Sequence, residues 1–94
     1  MTYNLRFKHD AEKEWRKLDN TIREQFKKHL KKRLENPHIP SARLNGMVDC
    51  YKIKLRSAGY RLVYQVRDND MVVSVVAVGK RENNAVYKIA AKRV

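Results

Sequence analysis

Lysine and arginine alternate with apolar residues along segment 51–67, and these cations are the side chains of the chain best suited to chemistry. Lys52, Lys54 and Arg61 share the polar side of the alternation, and the segment contains no Asp or Glu. Arg offers forked donors to phosphate oxygens, whereas Lys is a compact charge whose pKa can be shifted. The pattern predicts a phosphate-binding surface. A solvated basic strand face is the alternative that the pattern alone leaves open.

Two residues further along the chain are candidates for the same surface. Arg81 follows a predicted strand, which would bring it close to these cations. Tyr87 lies on a predicted C-terminal helix, off the apolar stripe of Val86, Ile89 and Ala90. A half-exposed Tyr in such a position is most often only an amphipathic contact. Beside a phosphate site it could instead stack on a base or transfer a proton.

The periodicity of apolar residues predicts the strands that must position these side chains. Period-two alternation predicts strands at 2–8, about 50–55, 60–67 and 71–79. The run 72–78 is apolar on both faces, which is typical of a central strand. The last three strands follow one another closely, so we expect an antiparallel meander.

Two helices are predicted between the first and second strands. Asp10 is a candidate N-cap for the first helix. Thr21 and Glu24 have the spacing of a capping box at the start of the second, and Pro37 and Pro40 end it. Its apolar stripe consists of Ile22, Phe26, Leu30 and Leu34. Its opposite, basic face consists of Arg23, Lys27, Lys28, Lys31, Lys32 and Arg33. We expect the helical hairpin to cover the sheet, with the basic face in solvent or against RNA phosphates.

The pairing of the first hairpin of the meander can be predicted from the pattern. If residues 56–59 form the loop, Leu55 faces Tyr60 and Lys54 faces Arg61. The buried side then consists of Ile53, Leu55, Tyr60, Leu62 and Tyr64, and the open side of Lys52, Lys54 and Arg61. A slip by one residue would bury cations against the core, which selects this register.

Length and charge limit the classes of protein to consider. Ninety-four residues are expected to form a single domain, residues 1–94, of α+β class. A net charge of +12 and a pI near 10.1 favour a nucleic-acid partner. No segment has the pattern of a membrane span or a secretory signal, and a single Cys50 gives no disulfide framework, so we expect a cytoplasmic protein.

Conventional catalytic and metal-binding patterns are absent from the sequence. His9, His29 and His38 have no ligand spacing, and the ten acidic residues are dispersed. Cys50 has no His base near it in the sequence, which favours a structural role. We therefore expect no metal and no cofactor.

The chain resembles the RelE family of bacterial toxins in several segments that together extend over most of its length. The similar segments are Lys-Glu-Trp-Arg-Lys-Leu (13–18), Arg-Glu-Gln (23–25), Asp-Cys-Tyr-Lys-Ile-Lys-Leu-Arg-Ser-x-Gly-Tyr-Arg-Leu-Val-Tyr-Gln-Val (49–66), Val-Gly-Lys-Arg-Glu (78–82) and Val-Tyr (86–87). The resemblance implies a RelE-like fold in one compact domain: an N-terminal strand, a helical hairpin, a three-stranded antiparallel meander and a short C-terminal helix.

The resemblance also implies a function, partners and site residues. Members of this family are ribosome-dependent endoribonucleases that cut the messenger RNA codon in the ribosomal A site, which inhibits translation. The implied partners are a RelB-type antitoxin, the ribosome with its rRNA, and mRNA. Operator DNA is bound only by the toxin–antitoxin complex, which acts as a transcriptional repressor. The family's catalytic positions fall on Lys52, Lys54, Arg61, Arg81 and Tyr87. One departure is Asn45 before Gly46, where RelE has Arg, and it concerns an RNA contact rather than the chemistry.

Such a cluster can cleave RNA without metal if the 2′-hydroxyl attacks the adjacent phosphorus, giving a 2′,3′-cyclic phosphate. Arg holds its proton too tightly to act as the base, so Lys52 is the predicted base. Lys54 and Arg61 would stabilise the phosphorane, Arg81 the phosphate or leaving oxygen, and Tyr87 would orient the substrate. The alternative is a non-enzymatic basic nucleic-acid-binding or co-repressor subunit in which the same cations only grip phosphate.

Overall fold

The structure is a computed structural model that describes residues 2–82 and 84–94. Within these residues it contains four strands and three α-helices. In chain order they are β1 (Asn4–Phe7), α1 (His9–Arg16), α2 (Asn20–Glu35), β2 (Cys50–Leu55), β3 (Tyr60–Arg67), β4 (Val72–Lys80) and α3 (Ala85–Arg93). The α+β class and the order of elements predicted from the sequence are confirmed. Across the described ranges, no helix combines the length and the apolar character needed to cross a bilayer.

The two helix starts differ from the predicted caps. Helix α1 begins at His9, so Asp10 lies inside its first turn instead of capping it. Helix α2 begins at Asn20 after Asp19, so Thr21 and Glu24 form no capping box. Neither helix has a side-chain cap hydrogen bond. Asp10 still favours the helix from its first turn, because the partial positive charge of the amino end attracts a carboxylate.

The four strands form one mixed sheet in the order β1-β4-β3-β2. The predicted register of the first hairpin is confirmed, since Leu55 pairs with Tyr60 and Lys54 pairs with Arg61. Strand β4 is central, as its two-sided apolar pattern indicated. Strand β1 pairs with β4 in parallel, a long-range contact that the local pattern does not indicate. Consequently β1 and β2 are the two edges of the sheet.

Helices α1 and α2 cover one side of the sheet, which we call the hairpin side. Phe26 and Leu30 of the predicted α2 stripe are fully buried there, and Ile22 and Leu34 are partly buried. They pack with Ile53, Leu55, Leu62, Tyr64, Val73 and Val75 of the strands. This is the larger core, and it matches the buried side predicted for the first hairpin.

Helix α3 covers part of the opposite side, which we call the α3 side. Val86 and Ala90 pack on Cys50, Val63, Val76 and Ala77. The close approach is possible because Gly79 has no side chain: a Cβ there would lie 3.4 Å from Val86 Cγ2. Ile89, predicted to share this contact, is instead 39% exposed.

One of the cations predicted to lie on an open face is buried under α3. Arg61, expected on an open face, is only 8% exposed. The alternation of β3 was interpreted correctly, but its polar side is not exposed to solvent at this end because α3 lies over it. Lys54 is exposed and Lys52 half-buried.

Side chains from α1 and α3 hydrogen-bond to the backbone of β4 at a β-bulge. The register of β3 and β4 shifts so that Val63 pairs with Ala77 and Tyr64 with Val75. Next to the shift, and beyond the pairing with β1 that ends at Val75, backbone groups of Val76 and Val78 have side-chain partners. Arg93 Nη1 donates to Val76 O at 2.9 Å and to Glu14 Oε1 at 2.9 Å, and Val78 N donates to Glu14 Oε1 at 3.3 Å. This clasp ties the end of α3 to α1.

Candidate functional site

Four of the five predicted site residues line one recess at the end of the meander. The recess has a volume of about 160 Å³ and is open to solvent on one side. Its lining residues are Lys54, Arg61, Lys80, Arg81, Glu82, Asn84, Ala85, Val86 and Tyr87. Lys54 comes from β2, Arg61 from β3, and Arg81 follows β4, so the three meander strands converge as the sequence predicted. Tyr87 comes from α3.

Lys52, the fifth predicted residue, lies next to the recess without lining it. It stands two residues before Lys54 on β2, so both side chains leave the strand on the α3 side. The positive charge of Lys52 is the largest cause of a lowered pKa at Lys54. Partial desolvation and the charges of Arg61 and Arg56 lower that pKa further. A lowered pKa makes Lys54 easier to deprotonate than an ordinary lysine.

Arg61 is the buried cation of the site. Its Nη1 donates to Tyr60 O at 3.0 Å, which orients the guanidinium along the strand. The remaining guanidinium donors are available for a ligand, since this is the only hydrogen bond that the Arg61 side chain makes among the described residues. A charge held in a weakly hydrated place interacts more strongly with an incoming anion than an exposed one does.

Arg81 is exposed at the mouth of the recess and is positioned through its backbone. Its amide donates to Gly59 O at 2.7 Å. Gly59 has a φ of +71°, a left-handed conformation that glycine adopts at low cost, and its own amide returns to Leu55 O at 2.8 Å. The turn between β2 and β3 therefore determines where Arg81 leaves the sheet.

Tyr87 presents a buried hydroxyl to the site. The residue as a whole is half-buried, as its position off the helical stripe predicted. Its hydroxyl oxygen is shielded from solvent and has no hydrogen-bond partner among the described residues. Because an unpaired buried hydroxyl is costly, a ligand that accepted or donated a hydrogen bond here would relieve that cost.

Sequence reasoning missed three polar residues of the recess: Lys80, Glu82 and Asn84. Glu82 is the one carboxylate among the described lining residues, and it stands directly after Arg81. The segment Val-Gly-Lys-Arg-Glu contained the signal, because two cations and an acid lie at and just after the end of a central strand, where strand ends converge. Asn84 has a φ of +59° and precedes α3, so it sets the direction in which that helix leaves the recess.

Other candidate groups lie outside the recess. Cys50 is fully buried, and burial raises the pKa of its thiol to about 11, so it is a poor nucleophile near neutral pH. Asn45 and Gly46 belong to a separate surface loop. Within residues 2–82 and 84–94, no three His, Cys, Asp or Glu side chains are grouped as metal ligands would be.

Comparison with known proteins places these features in a family. The profile described as "ParE toxin of type II toxin-antitoxin system, parDE" matches residues 5–85. The chain is 60% identical to the mRNA interferase toxin RelE of Escherichia coli (strain K12), over 94 residues that cover 100% of this chain and 99% of that protein. The chain belongs to the RelE family of type II toxins. The family resemblance stated from the sequence is confirmed.

Solved RelE structures have the same fold. A double mutant of E. coli toxin RelE in the free state superposes with a TM-score of 0.92 at 58% identity, covering 100% of this chain and 99% of that one. RelE in the intact E. coli RelBE toxin–antitoxin complex gives a TM-score of 0.83 at 60% identity, covering 86% and 99%. The RelE fold therefore extends over the whole of the sequence, recess included.

Proposed function

We propose that this protein is an endoribonuclease toxin that cleaves messenger RNA in the ribosomal A site and so inhibits translation. A RelB-type antitoxin would neutralise it in the cytoplasm, and the pair would repress its own operon by binding operator DNA. Full-length identity of 60% to a protein named mRNA interferase toxin RelE supports the activity. The solved complex of RelE with its antitoxin supports the partner.

The single observation that carries the chemistry is the convergence of Lys54, Arg61, Arg81 and Tyr87 on one recess, with Lys52 beside it. Metal-independent cleavage requires a base for the 2′-hydroxyl, positive charge for the phosphorane, and a proton for the leaving oxygen. The 2′-oxygen forms a bond to phosphorus, and the bond from phosphorus to the 5′-oxygen breaks. The products are a 2′,3′-cyclic phosphate and a 5′-hydroxyl.

The two lysines of β2 supply the base in this proposal. Two ammonium groups side by side lose their first proton more readily than one alone, and that proton belongs to the pair. The sequence assigned the base to Lys52. The lowered pKa of Lys54 and its place on the recess wall favour Lys54 as the neutral amine, with Lys52 as the charge that lowers the pKa. Single-residue variants distinguish these assignments.

The remaining residues stabilise and orient the reacting phosphate. Arg61 is buried at the base of the recess, where its charge would act on the phosphorane through little water. Arg81, at the mouth, would contact the scissile phosphate or the leaving oxygen. The Tyr87 hydroxyl, shielded and unpaired, would orient the nucleotide or share in protonating the leaving group.

Dependence on the ribosome follows from a weak base. Because the ordinary pKa of lysine lies well above neutral pH, lysine is a weak source of neutral amine, and the intrinsic rate on flexible RNA should be low. Holding the codon in a reactive geometry can contribute on the order of 7 kcal/mol or more that the protein then need not supply. We expect fast cleavage of the codon in an empty A site and slow cleavage of free RNA.

The test is single-turnover cleavage on programmed ribosomes with end-group analysis of the cleaved message. The wild type should give a 2′,3′-cyclic phosphate, and Arg61→Ala or Arg81→Ala should lower the rate on the order of 100- to 1000-fold. Arg67→Ala is the matched control, because Arg67 lies on the same strand and side as Arg61 but at the other end, exposed and outside the recess. A rate for Arg81→Ala equal to that of Arg67→Ala would remove Arg81 from the mechanism. Binding without cleavage would favour the non-enzymatic nucleic-acid-binding protein.

The lysine assignments are tested in the same assay. If Lys54 is the neutral amine, Lys54→Ala should abolish the rise of rate with pH, and Lys52→Ala should move that rise to higher pH, since the pKa of Lys54 is no longer lowered by its neighbour. The reverse pattern would assign the base to Lys52.

A further inference from the structure

Arg33, on the basic face predicted for α2, turns out of solvent and toward the sheet. It is half-buried, whereas its neighbours Lys31 and Lys32 are exposed. Its Nη1 donates to the Lys52 carbonyl oxygen at 3.2 Å and to the Tyr64 hydroxyl at 2.9 Å. The guanidinium carbon lies 5.7 Å from the centre of the Tyr64 ring, a cation–π contact. The helical pattern alone places this residue among solvated cations.

The carbonyl that Arg33 binds belongs to an edge strand. Strand β2 is the last strand of the sheet, with β3 along one side. On its other side a bridge pairs Arg43 with Tyr51, just before Lys52, and the rest of that edge has no strand partner among the described residues. Backbone groups along a free edge need other partners, and without them the edge moves more easily. At Lys52 the partner is Arg33, which joins α2 to the strand that carries both lysines of the candidate base.

The group on the other side of Arg33 is itself firmly held. The Tyr64 hydroxyl accepts from Arg33 and donates to Pro37 O at 2.7 Å. Burial raises the pKa of Tyr64, so the hydroxyl keeps the proton that it donates. The Tyr64 ring also stacks on Tyr51 with ring centres 5.6 Å apart. Arg33 therefore links the edge strand to a rigid part of the hairpin side.

We propose that Arg33 is a positioning residue for the Lys52–Lys54 pair. Lys52 and Lys54 repel each other on the α3 side of β2. Beyond the Arg43–Tyr51 bridge the edge strand could twist, which would let the two amines separate. Arg33 opposes this from the hairpin side by holding the backbone at Lys52. The inference rests on the proposed function for its catalytic meaning, but the geometry of the lysine pair can be measured without any RNA.

Arg33 would act through the backbone rather than through its own charge. The charges that lower the pKa of Lys54 are those of Lys52, Arg61 and Arg56. The other charged residues around the recess are Lys80, Arg81 and Glu82. All of them come from the strands or from the segments next to them, and none comes from α2. A change in the Lys54 titration on removal of Arg33 therefore reports the placement of the lysines.

The first measurement is an NMR titration of the lysine side chains in the free protein. Arg33→Met keeps the aliphatic stem and removes the donors, and Lys32→Met is the matched control, an exposed neighbour that loses the same charge. In Arg33→Met the pKa of Lys54 should rise toward that of an ordinary lysine, because Lys52 is no longer held close. In Lys32→Met it should stay at the wild-type value. Identical titrations in the two variants would overturn the proposal.

The second measurement is the pH dependence of cleavage on programmed ribosomes. Arg33→Met should reduce kcat on the order of 10- to 100-fold with little change in KM, and should move the rise of rate to higher pH. Arg33→Gln, which keeps one donor, should recover part of the loss and provides a second variant if Arg33→Met folds poorly. A loss of rate with no shift of the pH profile would indicate a merely structural role. If the wild type itself does not cleave, the proposed function fails, and the titration alone decides the role of Arg33.

Discussion

The two sides of the sheet differ in the size of the side chains that fill them. The hairpin side is packed with large residues such as Phe26, Leu30 and Tyr64, all fully buried. On the α3 side the contacts are made mainly by small residues, among them Val63, Ala77 and Ala90. The first arrangement buries much apolar area, and the second lets a short helix lie close to the strands with a charged recess at its end. Stability should therefore come mostly from the hairpin side, while the α3 side can be loosened at smaller cost.

The largest effect is expected from truncation at the centre of the hairpin side. Phe26→Ala should lower the free energy of unfolding by about 3–5 kcal/mol, because it removes a fully buried ring that contacts Trp15 at 6.2 Å between ring centres and leaves a cavity. Urea unfolding followed by circular dichroism measures this change. Ile22→Ala, on the same stripe but half-exposed, is the control and should cost less. Equal losses for the two variants would mean that the core is not concentrated at Phe26.

The hairpin side is also the part of the fold that sequence patterns predicted best. The stripe of α2 and the alternation of β2 and β3 are local periodicities, and each specifies a face without reference to the rest of the chain. The register of Lys54 with Arg61 followed because any slip would have buried cations. The bounds of β2 and β3 agree with the prediction for the same reason.

The α3 side was less predictable because its features depend on contacts distant in sequence. Burial of Arg61 requires knowing that a helix 24 residues or more downstream covers that end of β3. The bulge at Val76 and its closure by Glu14 and Arg93 join three separate segments. Arg33 has the helical phase of a solvated residue, and only the position of the Lys52 carbonyl explains why it turns inward. The predicted site residues were chosen because their types suit phosphate chemistry, whereas Glu82 was not considered because single acids rarely indicate a site.

An intermediate effect is expected at the clasp that holds α3. The Glu14 and Arg93 side chains are 29% and 21% exposed and are joined by two hydrogen bonds of 2.9 and 3.2 Å. Glu14→Ala leaves the Val78 amide and the Arg93 guanidinium without this partner, which should cost about 1–3 kcal/mol. Amide hydrogen exchange along α3 should accelerate more than exchange in α2, because α3 makes the smaller contact.

The control for the clasp is Glu12→Ala on the same helix. Glu12 forms an exposed ion pair with Arg16 at 2.8 Å, and such pairs contribute little. If Glu12→Ala and Glu14→Ala accelerated exchange in α3 equally, the clasp would not be what holds that helix. A loss of cleavage in Glu14→Ala at a temperature where the protein stays folded would connect the clasp to Tyr87, which α3 carries into the recess.

The smallest effect is expected at a polar contact on the surface, where β1, β3 and the segment after α2 meet. Asp68 accepts a hydrogen bond from Tyr3 at 2.6 Å and lies 2.9 Å from His38 Nε2. The hydrogen bond with His38, followed by that from Tyr3, lowers the pKa of Asp68. A carboxyl group with a lowered pKa in the folded state stabilises the protein above its ordinary pKa, and that contribution is lost as the pH falls through the folded value. Thermal unfolding midpoints of the wild type and Asp68→Asn should therefore differ slightly at pH 6 and converge once the pH falls below the lowered pKa of Asp68, where both carry an uncharged group. A difference that persisted unchanged in acid would show that the contact stabilises the fold without the charge of Asp68. The contact would then have to be regarded as part of the packing of the hairpin side.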